Sequence, residues 1–285
     1  MSAKFFGQYL LEKGQITSQQ LIDAVERQKS IHTPLGALAM EKGLLAAKEV
    51  KRIHEQQKKT DRRFGELAVD MGILVQSQVS ELIQVQASRK VLLGEVLVSK
   101  GYLTHDDLER ELKSYKEEQE TISSEISVFF DQVLHKDIVE TFADLTIKMF
   151  TRFGNQVIKI EQCETGKKKV RLFDWVIAQK IEGDNIELNF LLCIPGTFLL
   201  QMASTMLNKT ISKADEMTLD AAQEFVNITS GNACAKLSRT GLNLKMLAPD
   251  IYETIKRPYP VERANEVVCV HLVSPDARLD VAFGF

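Results

Sequence analysis

Glycine recurs in the first 115 residues with a fixed step: Gly7, Gly36, Gly65 and Gly94 lie 29 residues apart, and Gly14, Gly43, Gly72 and Gly101 repeat the interval. Apolar positions keep register with them: Phe6, Leu35, Phe64 and Leu93; Leu11, Met40, Val69 and Val98; Ile16, Leu45, Leu74 and Leu103; Leu21, Val50, Val79 and Leu108. Self-similarity at such a period restricts the chain to units that bury apolar stripes against one another, because one unit is too small to hold a core alone. The spacing predicts, in each copy, a short helix ended by the second glycine in a left-handed conformation. A brief loop then leads to a longer helix with apolar residues at three- and four-residue steps. Thr17 with Gln20 and Thr104 with Asp107 have the form of helix starts, in which a hydroxyl caps the first turn and a polar side chain three residues on reaches back. Ser77 is placed similarly in the third copy. The four copies should stack as one helical domain or two paired ones.

The copies run Phe5–Gln28, Pro34–Gln57, Arg63–Gln86 and Leu92–Tyr115, each twenty-four residues with five between. This pattern of glycine, an apolar residue three later, glycine seven later and a closing glutamine resembles the MshE N-terminal domain family, whose tandem motifs bind cyclic di-GMP. The resemblance implies a nucleotide contact made by a motif-opening arginine, whose guanidinium can stack on guanine and pair with phosphate, beside a glycine that permits close backbone approach. Only the third opening keeps that arginine, the others being Phe5, Pro34 and Leu92, and Tyr115 replaces the fourth closing glutamine. Carried over residue by residue, the nucleotide-binding candidates are Arg63, Phe64, Gly65 and Gln86, with Gln57 and the other openings behind them. Taken by themselves, the residues also fit glycines that serve only as helix caps and repeats that form an interaction scaffold.

After Tyr115 the register stops, and Lys116-Glu117-Glu118-Gln119-Glu120 begins a charged stretch with little apolar content before Ile126. This predicts domains at 1–115 and 127–285 joined by a charged linker at 116–126, with a solvated helix extending the last repeat as the alternative. From Val128 to Phe150 apolar residues return at helical spacing. Beyond it, 156–162, 169–182 and 186–194 read as strands, with Gly183-Asp184-Asn185 as a hairpin turn. Helices are expected at 198–208 and 218–238, and strands at 243–247, 266–273 and 278–282. The fold class is therefore an all-α repeat domain followed by an α+β domain whose largely antiparallel sheet is covered by helices.

The helix at 218–238 carries the chemistry. At 100° per residue, Asp220, Glu224, Asn227 and Gly231 fall within about 60° of one another, while Ala222, Phe225, Val226, Thr229, Ala233 and Leu237 lie on the far side. One face packs, and the other presents a carboxylate and an amide, with Gly231 admitting a close approach. A solvated helix face is the plain reading of these residues alone. The order Asp220, three residues, Glu224, two residues, Asn227, then twenty-one residues to Pro249, with Ser230-Gly231-Asn232-Ala233 between, resembles the signature of the CheC, CheX and FliY phosphatases. Those proteins hydrolyse the aspartyl phosphate of the chemotaxis response regulator CheY.

The resemblance implies that Glu224 and Asn227 are the catalytic pair. Asn227 would orient water in line with phosphorus, and Glu224 would pair with the receiver's active-site lysine. Asp220 reads as an accessory contact or cap, with Gly231, Asn232 and Pro249 also accessory. A partner copy of the motif is missing from the first helix of this domain, 128–150, where Asp144 rather than an asparagine follows Glu140, so a single active face resembles CheX more than CheC. It further implies a phosphorylated CheY-like receiver as partner, with Mg²⁺ held by that receiver, no cofactor of the chain's own, and a homodimer paired through sheet edges.

Composition narrows the remaining classes. With 36 Lys+Arg against 39 Asp+Glu, bulk binding to nucleic acid or anionic lipid is disfavoured. No apolar run approaches the roughly 20 residues of a membrane span, and the opening residues lack a signal peptide's regions, so a cytoplasmic protein is expected. Cys163, Cys193, Cys234 and Cys269 are scattered without a C-x-x-C pair and the five histidines lack ligand spacing, which predicts free thiols and no metal site. The expected activity is an aspartyl-phosphate phosphatase regulated or recruited by the repeats. Its rival is a non-catalytic adaptor or cyclic di-GMP sensor that binds a receiver or secretion and pilus machinery.

Overall fold

The computed structural model describes residues 5–285 apart from 32, 58–59, 61, 89–90, 154–155, 184–185, 258 and 261–263. The chain divides into two compact units, Phe6–Lys116 and Glu117–Phe285, with Phe5 grouped with the second. Helix α8 begins in one and ends in the other.

The N-terminal unit is helical. Four seven-residue helices, α1 (Phe6–Glu12), α3 (Leu35–Glu41), α5 (Phe64–Asp70) and α7 (Leu93–Ser99), alternate with four longer ones: α2 (Ser18–Ile31), α4 (Ala47–Gln57), α6 (Gln76–Ser88) and α8 (His105–Gln132). After each short helix a glycine turns left-handed, with φ of 69° at Gly14, 68° at Gly43, 64° at Gly72 and 71° at Gly101. An L side chain there would cost about 1–2 kcal/mol. Two cores form. Tyr9, Leu10, Ile16 and Ala24 pack with Val96, Leu97 and Leu103. Leu38, Leu45 and Ile53 pack with Leu67, Leu74, Val79 and Leu82. The first copy thus packs with the fourth, and the second with the third.

Helix starts follow the expected chemistry at two positions and depart at one. Thr17 N–H donates to Gln20 Oε1 at 2.8 Å while Gln20 N–H donates to Thr17 Oγ1 at 3.3 Å. Asp107 N–H donates to Thr104 Oγ1 at 3.1 Å. In the third copy the start lies two residues before Ser77: Val75 N–H donates to Gln78 Oε1 at 2.9 Å. The glutamine reaches back to the first free N–H, so no hydroxyl is needed.

The stretch 116–126, read as a charged linker, lies inside α8. Glutamate, lysine and glutamine are good helix formers, and Ile122 is buried, so the helical alternative holds there. The helix expected at 128–150 is interrupted: α8 stops at Gln132, His135 adopts φ 57°, and α9 (Lys136–Phe153) follows.

The C-terminal unit continues with β1 (Lys159–Thr165), a 3-10 turn at Lys167–Lys169, β2 (Trp175–Gly183), β3 (Ile186–Ile194), α10 (Gly196–Leu207), α11 (Glu216–Ser238), β4 (Lys245–Met246), β5 (Asp250–Glu253), β6 (Val267–Val273) and β7 (Arg278–Gly284). The strands make one sheet in the order β1-β6-β7-β3-β2-β4, with β5 also on β2, and every pairing is antiparallel. Strands β2 and β3 pair from Trp175↔Ile194 to Gly183↔Ile186; the remaining hairpin residues, 184 and 185, lie outside the described residues. One sheet face meets the helices in a core that includes Phe142, Phe150, Ile177, Ile181, Phe190, Phe198, Phe225 and Phe283. The other carries Val176, Leu191, Cys193, Val267, Cys269 and Ala282 beneath Val170, Leu172, Phe173, Tyr259 and Ala264.

Several bounds differ from the spacing: the strand expected at 156–162 runs Lys159–Thr165, and the one expected at 243–247 shrinks to Lys245–Met246. Residues 170–174 are not strand, because Arg171 is drawn across the outer face. Its backbone N–H, Nε and Nη2 donate to the wholly buried Asp280 carboxylate at 2.8, 2.9 and 2.6 Å. The short strand β5 was not expected; it follows Pro249 directly and pairs with β2 from Trp175↔Glu253 to Ala178↔Asp250.

Candidate functional site

Helix α11 starts two residues earlier than its spacing suggested, because Asp215 is the N-cap. Its carboxylate accepts from Thr218 N–H at 3.1 Å and from Thr218 Oγ1 at 2.7 Å. Asp220 therefore lies within the helix and is exposed, and the capping role considered for it belongs to Asp215. Ala222, Phe225, Val226, Thr229, Ala233 and Leu237 are all buried, so the packed face is the expected one. Glu224 is exposed and Asn227, one turn on, is half-buried. The two sit three residues apart on one side of a helix, with the carboxylate in water and the amide at the edge of the interior.

The accessory candidates are engaged by the protein itself. Gly231 is half-buried, and a Cβ added there would meet Met246 Cε at 3.5 Å, so the close approach it admits is taken by the chain's own methionine. Asn232 turns back along its helix, its Nδ2 donating to Ile228 O at 2.8 Å. Pro249 is buried, and its carbonyl accepts from Gln223 Nε2 at 2.7 Å, which fastens the segment before β5 to α11.

One residue beside the pair was not foreseen. Gln179 occupies the helix-facing row of β2 between Ile177 and Ile181 and is fully buried. Its Nε2 donates to Asn227 Oδ1 at 2.8 Å and to Leu247 O at 2.7 Å, while its Oε1 is buried with no partner. The available signal was an amide in the apolar register of a strand.

In the N-terminal unit the nucleotide candidates have structural tasks. Arg63 precedes α5 with its side chain exposed, and its backbone N–H donates to Glu66 Oε2 at 3.2 Å. The Phe64 ring lies 5.3 Å from that of His54. Gly65 is buried because α6 lies against it: a Cβ there would stand 2.6 Å from Val79 Cγ1. Gln57 Nε2 donates to Arg62 O at 3.2 Å, and Gln86 Nε2 to Thr33 O at 3.0 Å, each just before a motif opening. Gln28 does the same with Val91 O at 3.0 Å, and in the fourth copy Tyr115 instead packs its ring 5.2 Å from Phe6 and 5.5 Å from Tyr9.

The four cysteines are free thiols. Burial pushes Cys163 and Cys269 up to about 12 and Cys234 to about 11, and it holds Cys193 well above the usual thiol range. Thiols so raised are poor nucleophiles at neutral pH. Among the described residues no group of three or more His, Cys, Asp or Glu could hold a metal ion, and no helix is long and apolar enough to cross a membrane.

Residues 176–272 match the family profile described as Chemotaxis phosphatase CheX, a span that contains Gln179, Glu224, Asn227 and Pro249. The matched span lies within the C-terminal unit and runs from β2 into β6. No curated protein matches the chain. Among solved structures, a CheC-like superfamily protein from Shewanella sp. PV-4 is similar at 16% identity and TM-score 0.49, covering 53% of this chain and 98% of its own. CheX from Desulfovibrio desulfuricans is similar at 19% identity and TM-score 0.45, covering 51% and 97%. A chain of a CheX–CheY–BeF3–Mg²⁺ complex from Borrelia burgdorferi is similar at 17% identity and TM-score 0.41, covering 51% of this chain and 96% of its own.

Proposed function

We propose that the C-terminal unit hydrolyses the aspartyl phosphate of a CheY-like receiver, with Asn227 and Glu224 as the working pair. The observation that carries this reading is the placement of an exposed carboxylate and an amide one turn apart on α11, inside the span that matches the CheX family. An acyl phosphate is reactive, and its Mg²⁺ belongs to the receiver, so a phosphatase need supply only orientation. Water oxygen attacks phosphorus as the bond to the aspartyl oxygen breaks, leaving a carboxylate and inorganic phosphate. The Asn227 amide cannot act as a general base but can hold that water in line. Glu224 supplies a charge for the receiver's lysine and so fixes the docking register. Receiver dephosphorylation by wild type and by Asn227→Ala is the test.

The same proposal takes the N-terminal unit as a four-copy regulatory domain at 1–115, with cyclic di-GMP as its ligand, in a cytoplasmic protein that dimerises through a sheet edge. Since Gly65, Gln57 and Gln86 serve packing and backbone carbonyls, the exposed Arg63 guanidinium is the group left to contact a nucleotide. Calorimetric titration of cyclic di-GMP into wild type and Arg63→Ala decides this, and heat without change in Arg63→Ala counts against it. Size-exclusion chromatography with light scattering decides the dimer. The adaptor reading is favoured by Met246 standing over Gly231, and receiver binding without acceleration would establish it.

A further inference from the structure

Gln179 is a cost to the fold that packing does not explain. In the apolar row of β2, between Ile177 and Ile181, a hydrophobic side chain would fill the same space without burying an amide oxygen that finds no partner. Buried polar groups left unsatisfied are rare, and where they persist they point to a task other than stability.

The task follows from a chain of fixed orientations. Strand β4 pairs with β2 through Ile181↔Met246, and Leu247 N–H donates to Lys180 O at 2.9 Å, which sets the Leu247 carbonyl beside Gln179. A carbonyl can only accept, so the Gln179 amide must turn its NH2 toward it. The second hydrogen of that NH2 faces Asn227, which can answer only with Oδ1, at 2.8 Å. Asn227 Nδ2 has no protein partner among the described residues and is left for whatever docks on α11.

We infer that Gln179 is a positioning residue for Asn227: its NH2 holds the Asn227 oxygen inward, so the amide offers its NH2 to the docked phosphoryl site. The inference rests on the phosphatase reading for its effect on rate, but the orientation stands on the hydrogen bonds alone. On a docked aspartyl phosphate, Nδ2 donates to the attacking water's oxygen through one lone pair and leaves the other aimed at phosphorus. Without Gln179 the amide turns freely, and the water loses one fixed contact. No proton is transferred to either amide.

The experiment uses the full chain, a phosphorylated CheY-like receiver with Mg²⁺, and Gln179→Met, an unbranched apolar side chain of matching length, with Gln179→Leu as a second variant. The expected result is a fall in kcat of roughly tenfold or more with KM within about twofold, no further fall when the substitution is added to Asn227→Ala, and a melting temperature not below wild type. A merely structural role would instead slow Asn227→Ala by the same factor, raise KM, or unfold both variants, and any of these overturns the inference. An unchanged kcat does so too. The second readout needs no activity: in proton–nitrogen spectra the Asn227 side-chain NH2 pair should be dispersed in wild type and move to random-coil positions in Gln179→Met. If Asn227→Ala leaves dephosphorylation unchanged, the phosphatase reading falls while the spectra still decide the orientation. An Asn227 pair unmoved by Gln179→Met overturns the positioning role whatever the rates show.

Discussion

Replacing Arg171 by methionine strands the Asp280 carboxylate. Asp280 is 0% exposed and accepts three hydrogen bonds from Arg171, while His271 Nδ1 lies 2.9 Å from its Oδ1. Removing one member of a buried ion pair typically costs about 3–5 kcal/mol, because the other charge stays desolvated. Two features place this case at the low end. The Arg171 side chain is 36% exposed, and both its backbone N–H and His271 remain beside Asp280 in the variant. We expect a loss of about 3 kcal/mol. The sole tryptophan, Trp175, sits at the start of β2 in the same unit, so its fluorescence during urea unfolding reports this unit alone. With a denaturant slope of about 2 kcal/mol/M, the midpoint should fall by about 1.5 M. Adding Asp280→Asn to Arg171→Met removes the stranded charge and should recover more than half of that shift. A fall below about 0.5 M in Arg171→Met, or no recovery in the double variant, would refute the claim that this pair anchors residues 170–173 across the sheet.

Gly65→Ala should lose about 1–3 kcal/mol by far-ultraviolet circular dichroism melts, since its methyl would overlap Val79 Cγ1, and Val79→Ala should relieve most of that loss. Gly72→Ala meets nothing within 4 Å but keeps φ at 64°, so it should cost about 1–2 kcal/mol with no relief from any neighbour. Asp23 accepts from Lys100 Nζ and Tyr102 Oη, both at 2.6 Å, and these bonds, Lys100 foremost, hold its carboxyl below the usual range. Its folded value being the lower, this tie between α2 and the end of α7 is fully present above the ordinary carboxylate value and is lost as pH falls through the folded one. A carboxyl carbon NMR titration should show the Asp23 midpoint rising toward the ordinary value in Lys100→Met, and an unmoved midpoint would contradict the assignment.

How far the sequence could be read depended on whether a residue's reason lay nearby in the chain. The left-handed glycines were legible because a helix must end there whatever else it touches. Gly65 was legible as a recurrence, but its cause, the Val79 methyl fourteen residues on, appears only when α5 and α6 pack. The charged run at 116–126 looked like a linker because Glu, Lys and Gln are equally at home in solvent and in a helix. Arg171 lay in a run read as strand, and its partner Asp280 is 109 residues away. In the site, the exposed Glu224 and the buried far face of α11 followed from helical periodicity. The inward half of Asn227 did not, because Gln179 and Leu247 reach it from other strands.

Phosphatase action by the Asn227 face is tested most directly by the dephosphorylation rate of phosphorylated CheY-like receivers with Mg²⁺, measured with no added protein, wild type and Asn227→Ala. Wild type should accelerate the loss of phosphate, and Asn227→Ala, still bound to the receiver, should lose at least tenfold of that acceleration. A wild-type chain that binds the phosphorylated receiver without hastening its decay, or an Asn227→Ala chain as active as wild type, would contradict it.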